Sequence, residues 1–153
     1  MESTVTQSIT IRCNTKDLFD YVNKPRLWSK WNDQSLQAST INNDLRVGDR
    51  FKEKMSLQLF SALPFTLYQE PIYEVVEIYP NRKWVIHGKM HKSDIHISYE
   101  FQPITNKRTK FKQTLIVKTK GTEKVWHPLL HLYFKHTSLK ALNKLKETCE
   151  IRF

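Results

Sequence analysis

The sequence predicts a single α+β domain that spans residues 1–153. In this domain a curved antiparallel sheet of about six or seven strands surrounds one long C-terminal helix, and two short helices follow the first strand. Residues 4–12 and most of the chain from 35 to 119 alternate between apolar and polar side chains, which is the period of a half-buried strand. From about residue 123 onward the period becomes that of an amphipathic helix. Such a sheet can bury its apolar face on a single helix only by curling around it, and this leaves a cavity for a ligand.

Two short helices are predicted directly after the first strand. Asn14 or Thr15 caps the first of them, and Pro25 ends it and begins the second. Trp28 and Trp31 are three residues apart and therefore lie on one face of the second helix. We expect them to fix this helix against the sheet at one end of the cavity, the alternative being a place at the rim of the cavity.

Six further strands and the long helix complete the predicted order. Turn signals such as INND, YPN and ITNK separate the strands, which we place at 35–42, 48–59, 70–79, 83–91, 94–102 and 109–119. On a helical wheel the core face of the long helix contains Trp126, Leu130, Tyr133, Phe134, Thr137, Ala141 and Leu145.

Charge is the unusual bulk property of the chain, because 25 Lys and Arg residues against 15 Asp and Glu residues give a net charge of +10. The lysines are spread along the chain, often at alternate positions, which is typical of the outer face of a sheet. No recognition motif accompanies them, so we expect no specific nucleic-acid partner.

The start of the sequence lacks the pattern of a signal peptide, and no apolar run is long enough to span a membrane, so we expect a cytoplasmic protein. Cys13 and Cys149 lie at opposite ends of the chain, which predicts two reduced thiols.

Four segments carry a family resemblance over nearly the whole chain: ITIRCNTKDLFDYVNKPRLWSKWND (9–33), LRVGDRFKEK (45–54), YEVVEIYPNRKWVIHG (73–88) and ALNKLKETCE (141–150). In this order they resemble the START-like (SRPBCC) superfamily, specifically its polyketide cyclase/dehydrase-like branch. The resemblance implies a helix-grip fold with a deep apolar cavity between sheet and helix. It implies no catalytic residue, because these residues differ between branches and no branch motif is present here.

Strand alternation predicts which side chains face the long helix and line the cavity. The apolar ones are Phe51, Met55, Trp84, Ile86, Met90, Ile97, Tyr99, Phe101 and Leu115 from the strands, and Trp126, Leu130, Tyr133 and Phe134 from the helix. Glu53, Gln113 and Thr137 are polar residues on the same faces. A carboxylate in an apolar cavity needs a partner or a raised pKa, so Glu53 is a ligand anchor, an acid/base catalyst or a hydrogen-bonded residue near the rim.

No catalytic or metal-binding set can be assembled from the sequence. His127 and His131 are one helical turn apart, and His87 and His91 share a strand face, but a zinc site needs three or four ligands. No serine or cysteine nucleophile is paired with a histidine. We therefore predict no metal and no cofactor, and Glu53 is the candidate acid or base.

The cavity favours binding of a hydrophobic or amphipathic small molecule, lipid-like or polyketide-like, as the function. Two alternatives stay open: a polyketide cyclase or dehydratase-type enzyme, and a basic module that docks an acidic protein, anionic lipid or RNA. Leu132, His136 and Leu139 lie opposite the core face of the long helix. They predict either packing against the two short helices or a contact surface for a weak homodimer or an acidic partner.

Overall fold

The computed structural model describes residues 1–39, 44–57, 67–90 and 93–153. In these ranges the chain forms eight strands, which are β1 (Glu2–Ile11), β2 (Ser35–Ser39), β3 (Arg50–Leu57), β4 (Leu67–Gln69), β5 (Ile72–Tyr79), β6 (Lys83–Met90), β7 (Ser93–Thr105) and β8 (Arg108–Thr119). It also forms two α-helices, α1 (Thr15–Val22) and α2 (His127–Arg152), and two short 3-10 helices, Pro25–Lys30 and Gly121–Trp126.

The strands form one antiparallel sheet in the order β1-β8-β7-β6-β5-β3-β2, and β4 pairs with β3 beside this path. The first and last elements of the chain meet, because β1 pairs with β8 and α2 packs along β1. The apolar face of the sheet is thereby covered by α2 and the short helices. The predicted α+β, helix-grip class is confirmed.

A few predicted strand boundaries differ from the structure. Strand β4 was not predicted, because three residues are too short to show alternation. Strand β7 extends to Thr105, past the predicted end at residue 102. The predicted residues 40–42, 58–59 and 91 lie outside the described residues.

The two short helices form where the sequence predicts them. The side chain of Asn14 caps α1 by accepting hydrogen bonds from the backbone N–H groups of Lys16 and Asp17, at 2.9 and 3.4 Å. The second helix begins at Pro25 and is a 3-10 helix. The indole of Trp28 donates a hydrogen bond of 2.9 Å to the carbonyl of Val22, which fastens the second helix to the end of the first.

Helix α2 is rotated relative to the predicted wheel. Its buried residues are His127, Phe134, Ser138, Ala141, Leu142, Leu145 and Cys149, whereas Leu130, Tyr133 and Thr137 are only partly buried. Apolar residues surround the helix at 129–134, so hydrophobicity alone does not fix its rotation there. Within the described part of the chain, no helix is long and apolar enough to cross a membrane.

An aromatic cluster fills the space between the sheet and the second short helix. The Trp28 ring packs edge-on against Phe51, Tyr73 and Trp84, with ring centroids 5.5 to 6.0 Å apart. Trp31 is also buried, at 1% exposure. Trp28 therefore packs the second helix against the sheet, and the same role for Trp31 stays a prediction.

Cys13 and Cys149 are both free and buried. Burial raises the pKa of the Cys13 thiol to about 11 and that of Cys149 to about 12. Both side chains therefore stay as unreactive thiols at neutral pH.

Candidate functional site

A small cavity lies between the sheet and α2. Its volume is about 40 Å³, enough for one or two waters or one small polar group. We call it the inner cavity, and it is lined by Trp28, Asn32, Gln34, Glu53, Met55, Tyr73, Ile95, Ile97, Tyr99, Gln113, Leu115, Phe134, Thr137, Ser138 and Ala141.

A larger groove adjoins the inner cavity on the outer side of α2. Its volume is about 570 Å³, and we call it the outer groove. It is lined by Asn32, Asp33, Gln34, Ser56, Leu129, Leu132, Tyr133, His136, Thr137, Lys140 and Ala141. Asn32, Gln34, Thr137 and Ala141 line both spaces, so these four residues lie at the boundary between groove and cavity.

Glu53 is the buried acid of the inner cavity. It lies on β3 and is 2% exposed, because alternation along this edge of the sheet turns its side chain inward. The hydroxyl of Ser35, on β2, donates a hydrogen bond of 3.1 Å to its Oε2. Burial raises the pKa of the carboxyl to about 8, and the Ser35 bond offsets only part of this. At neutral pH the group is therefore mainly a neutral acid, which both donates and accepts hydrogen bonds.

Two amides of the inner cavity have unused hydrogen-bonding groups. Nε2 of Gln34 and Oε1 of Gln113 are buried and find no partner among the described residues. Gln113 lies directly across from Tyr99 in the sheet and hydrogen-bonds to its hydroxyl, while burial raises the pKa of that phenol. The cavity therefore presents one free donor and one free acceptor besides the neutral acid.

The structure brings about half of the predicted lining residues to the inner cavity. These are Glu53, Met55, Ile97, Tyr99, Gln113, Leu115, Phe134 and Thr137. Tyr133 lines the outer groove. Nothing in the fold tests whether a ligand contacts these side chains, so their binding role stays a prediction.

The other predicted residues lie elsewhere. Phe51, Trp84, Ile86 and Phe101 are packed into the core at 4% exposure or less and are not among the residues that line the inner cavity. Met90 and Leu130 are partly buried against the core. The side chain of Trp126 lies outside the described residues. Alternation predicts which face of the sheet a strand residue occupies, but it does not predict how far along the strand the cavity lies. The predicted lining therefore contains these core residues as well.

Several lining residues were not predicted. Ile95 and Tyr73 carry a signal, since they alternate in phase with inward-facing neighbours on β7 and β5. Ser138 was missed because the helix is rotated. Asn32 and Gln34 precede β2 in irregular backbone, where no period assigns a face. Their position depends on where the second short helix ends.

His87, His96 and His127 are held by contacts with other side chains. No group of three or more His, Cys, Asp or Glu side chains within the described ranges could hold a metal ion. His127 hydrogen-bonds through Nδ1 to the hydroxyl of Thr119 at 2.8 Å. His87 stacks on His96 on the outer face of the sheet, with ring centroids 4.0 Å apart, and His91 is outside the described residues.

The basic surface follows the outer face of the sheet. Its lysines face cross-strand carboxylates, as in Lys118–Glu2 and Lys112–Glu100, each pair with an N–O distance of 3.7 Å. These pairs are exposed and contribute little to stability. They also neutralise part of the positive charge locally.

Known structures share this arrangement of a curved sheet, short helices and a long C-terminal helix. A START superfamily protein from Mycobacterium smegmatis superposes with a TM-score of 0.80 at 14% identity, over 98% of this chain and 99% of that one. The chain has the START-like fold. The Zhui aromatase/cyclase from Streptomyces sp. R1128 gives a TM-score of 0.77 at 8% identity, over 99% and 96% of the two chains. Norcoclaurine synthase from Thalictrum flavum gives 0.69 at 9% identity, also over 99% and 96%.

The START-like fold is thus established by backbone similarity and not by sequence. No protein-family model matches the chain, and no curated protein matches it in sequence. Identities of 8 to 14% show the fold alone. The function has to be argued from the inner cavity and the outer groove.

Proposed function

We propose that this protein binds an apolar or amphipathic small molecule, lipid-like or polyketide-like, whose body occupies the outer groove and whose end enters the inner cavity. The observation that carries the proposal is that the two spaces adjoin and share the lining residues Asn32, Gln34, Thr137 and Ala141, whose boundary is the proposed passage for the ligand. A binding site of this kind combines apolar walls with a few convergent polar groups. The inner cavity supplies the polar groups, and the outer groove supplies the room.

The lining of the outer groove is mixed, and its apolar residues provide the driving force. Leu129 and Leu132 are 40% and 62% exposed, so a ligand in the groove removes their apolar surface from water. A two-ring ligand that buries about 200 Å² of apolar surface gains about 5 kcal/mol before the cost of association. This is sufficient for micromolar binding only if the polar end of the ligand is also satisfied.

Blocking the passage is expected to abolish binding. Thr137 lines both spaces and is only partly buried, so the indole of Thr137→Trp fills the passage without entering the packed core. We expect it to weaken binding of the neutral fluorophore 1-N-phenylnaphthylamine at least tenfold, with thermal unfolding near that of the wild type. The matched control is Asn143→Trp, at an exposed position of the same helix. Equal fluorophore binding by the wild type and both variants would place the ligand elsewhere. Independently, native mass spectrometry of freshly purified protein would identify a ligand that is retained during purification.

The buried acid favours a second candidate function, a cyclase or dehydratase-type enzyme. A carboxyl with a pKa of about 8 exchanges protons readily near neutral pH, which suits general acid–base catalysis. In this role the ionised form of Glu53, a minor fraction at pH 7, takes a proton from the carbon beside a substrate carbonyl. The enolate so formed attacks a second carbonyl of the same substrate, and Glu53 returns the proton to the alkoxide oxygen beside the new carbon–carbon bond. Glu53→Gln should then remove turnover of a polyketide-like substrate while its binding persists. Unchanged turnover would exclude Glu53 as the acid or base.

The outer face of α2 supports a further proposal, a weak homodimer. Leu132 and Leu139 are 62% and 48% exposed, so packing in the core does not account for either. We expect Leu139→Glu to weaken self-association in sedimentation equilibrium without changing fluorophore binding, because Leu139 does not line the outer groove. Leu132→Glu, whose position does line it, should weaken both. A wild type that is monomeric at every concentration and salt level would exclude the homodimer.

A further inference from the structure

Three polar side chains converge on the inner cavity from different parts of the chain. We propose that Gln34, Glu53 and Gln113 form a receptor for an uncharged hydroxyl group, so that the ligands of this protein are alcohols with an apolar body. The inference rests on the proposed binding function and adds the chemical class of the group that enters the cavity. It also names the residues that determine specificity.

The unused hydrogen-bonding groups select a hydroxyl over other small groups. Nε2 of Gln34 is a free donor and Oε1 of Gln113 a free acceptor, and neither has a partner among the described residues. A hydroxyl both accepts and donates, so it matches one free donor and one free acceptor at the same time. A carbonyl leaves the Gln113 acceptor unpaired, and a hydrocarbon leaves both unpaired.

The volume of the inner cavity sets the size of the group. About 40 Å³ accommodates a hydroxyl with its carbon but not an aromatic ring or a hydrocarbon chain. The rest of the ligand must therefore stay in the outer groove, where about 570 Å³ is available. A ligand hydroxyl in this place reproduces the hydrogen bonds that a buried water would make, so displacing such a water costs little.

The charges around the cavity disfavour an ionised ligand. Glu53 is faced by Ser35 from β2, Tyr73 from β5 and Tyr99 from β7. Helix α2 contributes only the uncharged residues Phe134, Thr137, Ser138 and Ala141, and the lining residues include no lysine or arginine. A ligand carboxylate would have to leave water for this cavity with no cation to pair with.

The net charge alone would predict the opposite preference, namely tighter binding of an anionic ligand. A charge of +10 attracts anions to the protein as a whole, and Lys140 lines the outer groove. The Nζ atom of Lys140 is 3.4 Å from Oδ2 of Asp33, a carboxylate that Lys144 shares, so the positive charge at the groove is only partly neutralised and lies outside the inner cavity. Comparing an alcohol with a carboxylate on one apolar body therefore separates recognition in the cavity from attraction by bulk charge.

Three ligands with the same ring system test the inference. Binding of 2-naphthalenemethanol, 2-ethylnaphthalene and 2-naphthoate is measured by displacement of 1-N-phenylnaphthylamine at pH 7. We expect the alcohol to bind about tenfold more tightly than the ethyl compound, and the carboxylate to bind most weakly. Gln34→Leu and Gln113→Leu should each bring the ratio of alcohol to ethyl affinity close to one, whereas Gln37→Leu, at an exposed position on β2, should keep it.

The outcomes separate this inference from the proposed function. If none of the three ligands binds the wild type, the proposed binding site is wrong. If all three bind and the carboxylate is tightest, or the alcohol and the ethyl compound bind equally, the site stands and the hydroxyl receptor is overturned. The wild-type ratios decide this even if a leucine variant does not fold. A folded Gln113→Leu that keeps the alcohol preference would overturn the assignment of Gln113.

Discussion

Glu53→Gln is expected to stabilise the protein at pH 8 and to leave its stability almost unchanged at pH 4. The pKa of this carboxyl is raised from 4.5 to about 8 by burial. Below pH 4.5 the group is protonated in both the folded and the unfolded chain. Between pH 4.5 and 8 the unfolded chain releases the proton while the folded protein retains it, so stability falls as the pH rises. Glutamine is neutral at every pH and removes this loss.

The expected size follows from linkage. Each unit of pKa difference corresponds to about 1.4 kcal/mol, so the wild type loses up to about 5 kcal/mol of its free energy of unfolding across this interval through Glu53. Urea unfolding at pH 4.5, 6 and 8, followed by tryptophan fluorescence, measures the difference between wild type and variant. The matched control is Glu74→Gln, an exposed carboxylate on β5. If the free energies of unfolding of Glu53→Gln and wild type change in parallel between pH 4.5 and 8, Glu53 is ionised throughout this range, and its assignment as a buried neutral acid is wrong.

The fold was predictable because the hydrophobic period changes at well-marked places. In β7 the alternation places Ile95, Ile97, Tyr99 and Phe101 on one face, and all four are buried. At the start of the chain, Asn14 and Pro25 mark the helix boundaries by their own chemistry, one by accepting backbone hydrogen bonds and the other by lacking a donor. Such signals are local, so they survive without knowledge of the tertiary structure.

The site was only partly predictable, because its shape depends on distances that the sequence does not encode locally. Trp84 and Tyr99 both face inward and lie opposite each other in the sheet, yet only Tyr99 lines the inner cavity. The Trp84 ring is enclosed by three other rings, those of Trp28, Phe51 and Tyr99. Gln34 gave no signal, since it lies in irregular backbone and reaches the cavity through the placement of the second short helix.

The second large effect is expected at Gly88, which lies on β6 directly across from Tyr73 on β5. A Cβ atom at Gly88 would lie 2.5 Å from Cε1 and 2.6 Å from Cδ1 of the Tyr73 ring. Withdrawal of the ring is restricted, because it stacks on Phe51 with centroids 5.2 Å apart and packs edge-to-face with Trp28. Glycine is therefore required here so that the aromatic ring of the neighbouring strand can cover the backbone.

Gly88→Ala is expected to lower the free energy of unfolding by about 3 kcal/mol, the range found for overpacked cores. The matched control is Gly48→Ala, where φ is +94° and no atom lies within 4 Å of the added Cβ, so that its cost is backbone strain alone. In a Tyr73→Leu background the same change at Gly88 should cost less, because the clashing ring is gone. Additive effects of the two substitutions would contradict a direct clash. Tyr73 also lines the inner cavity. If the added methyl group pushes the Tyr73 ring inward, fluorophore binding by the folded Gly88→Ala protein should be weaker than in the wild type. The contact between Gly88 and Tyr73 would then affect the proposed binding site as well as stability.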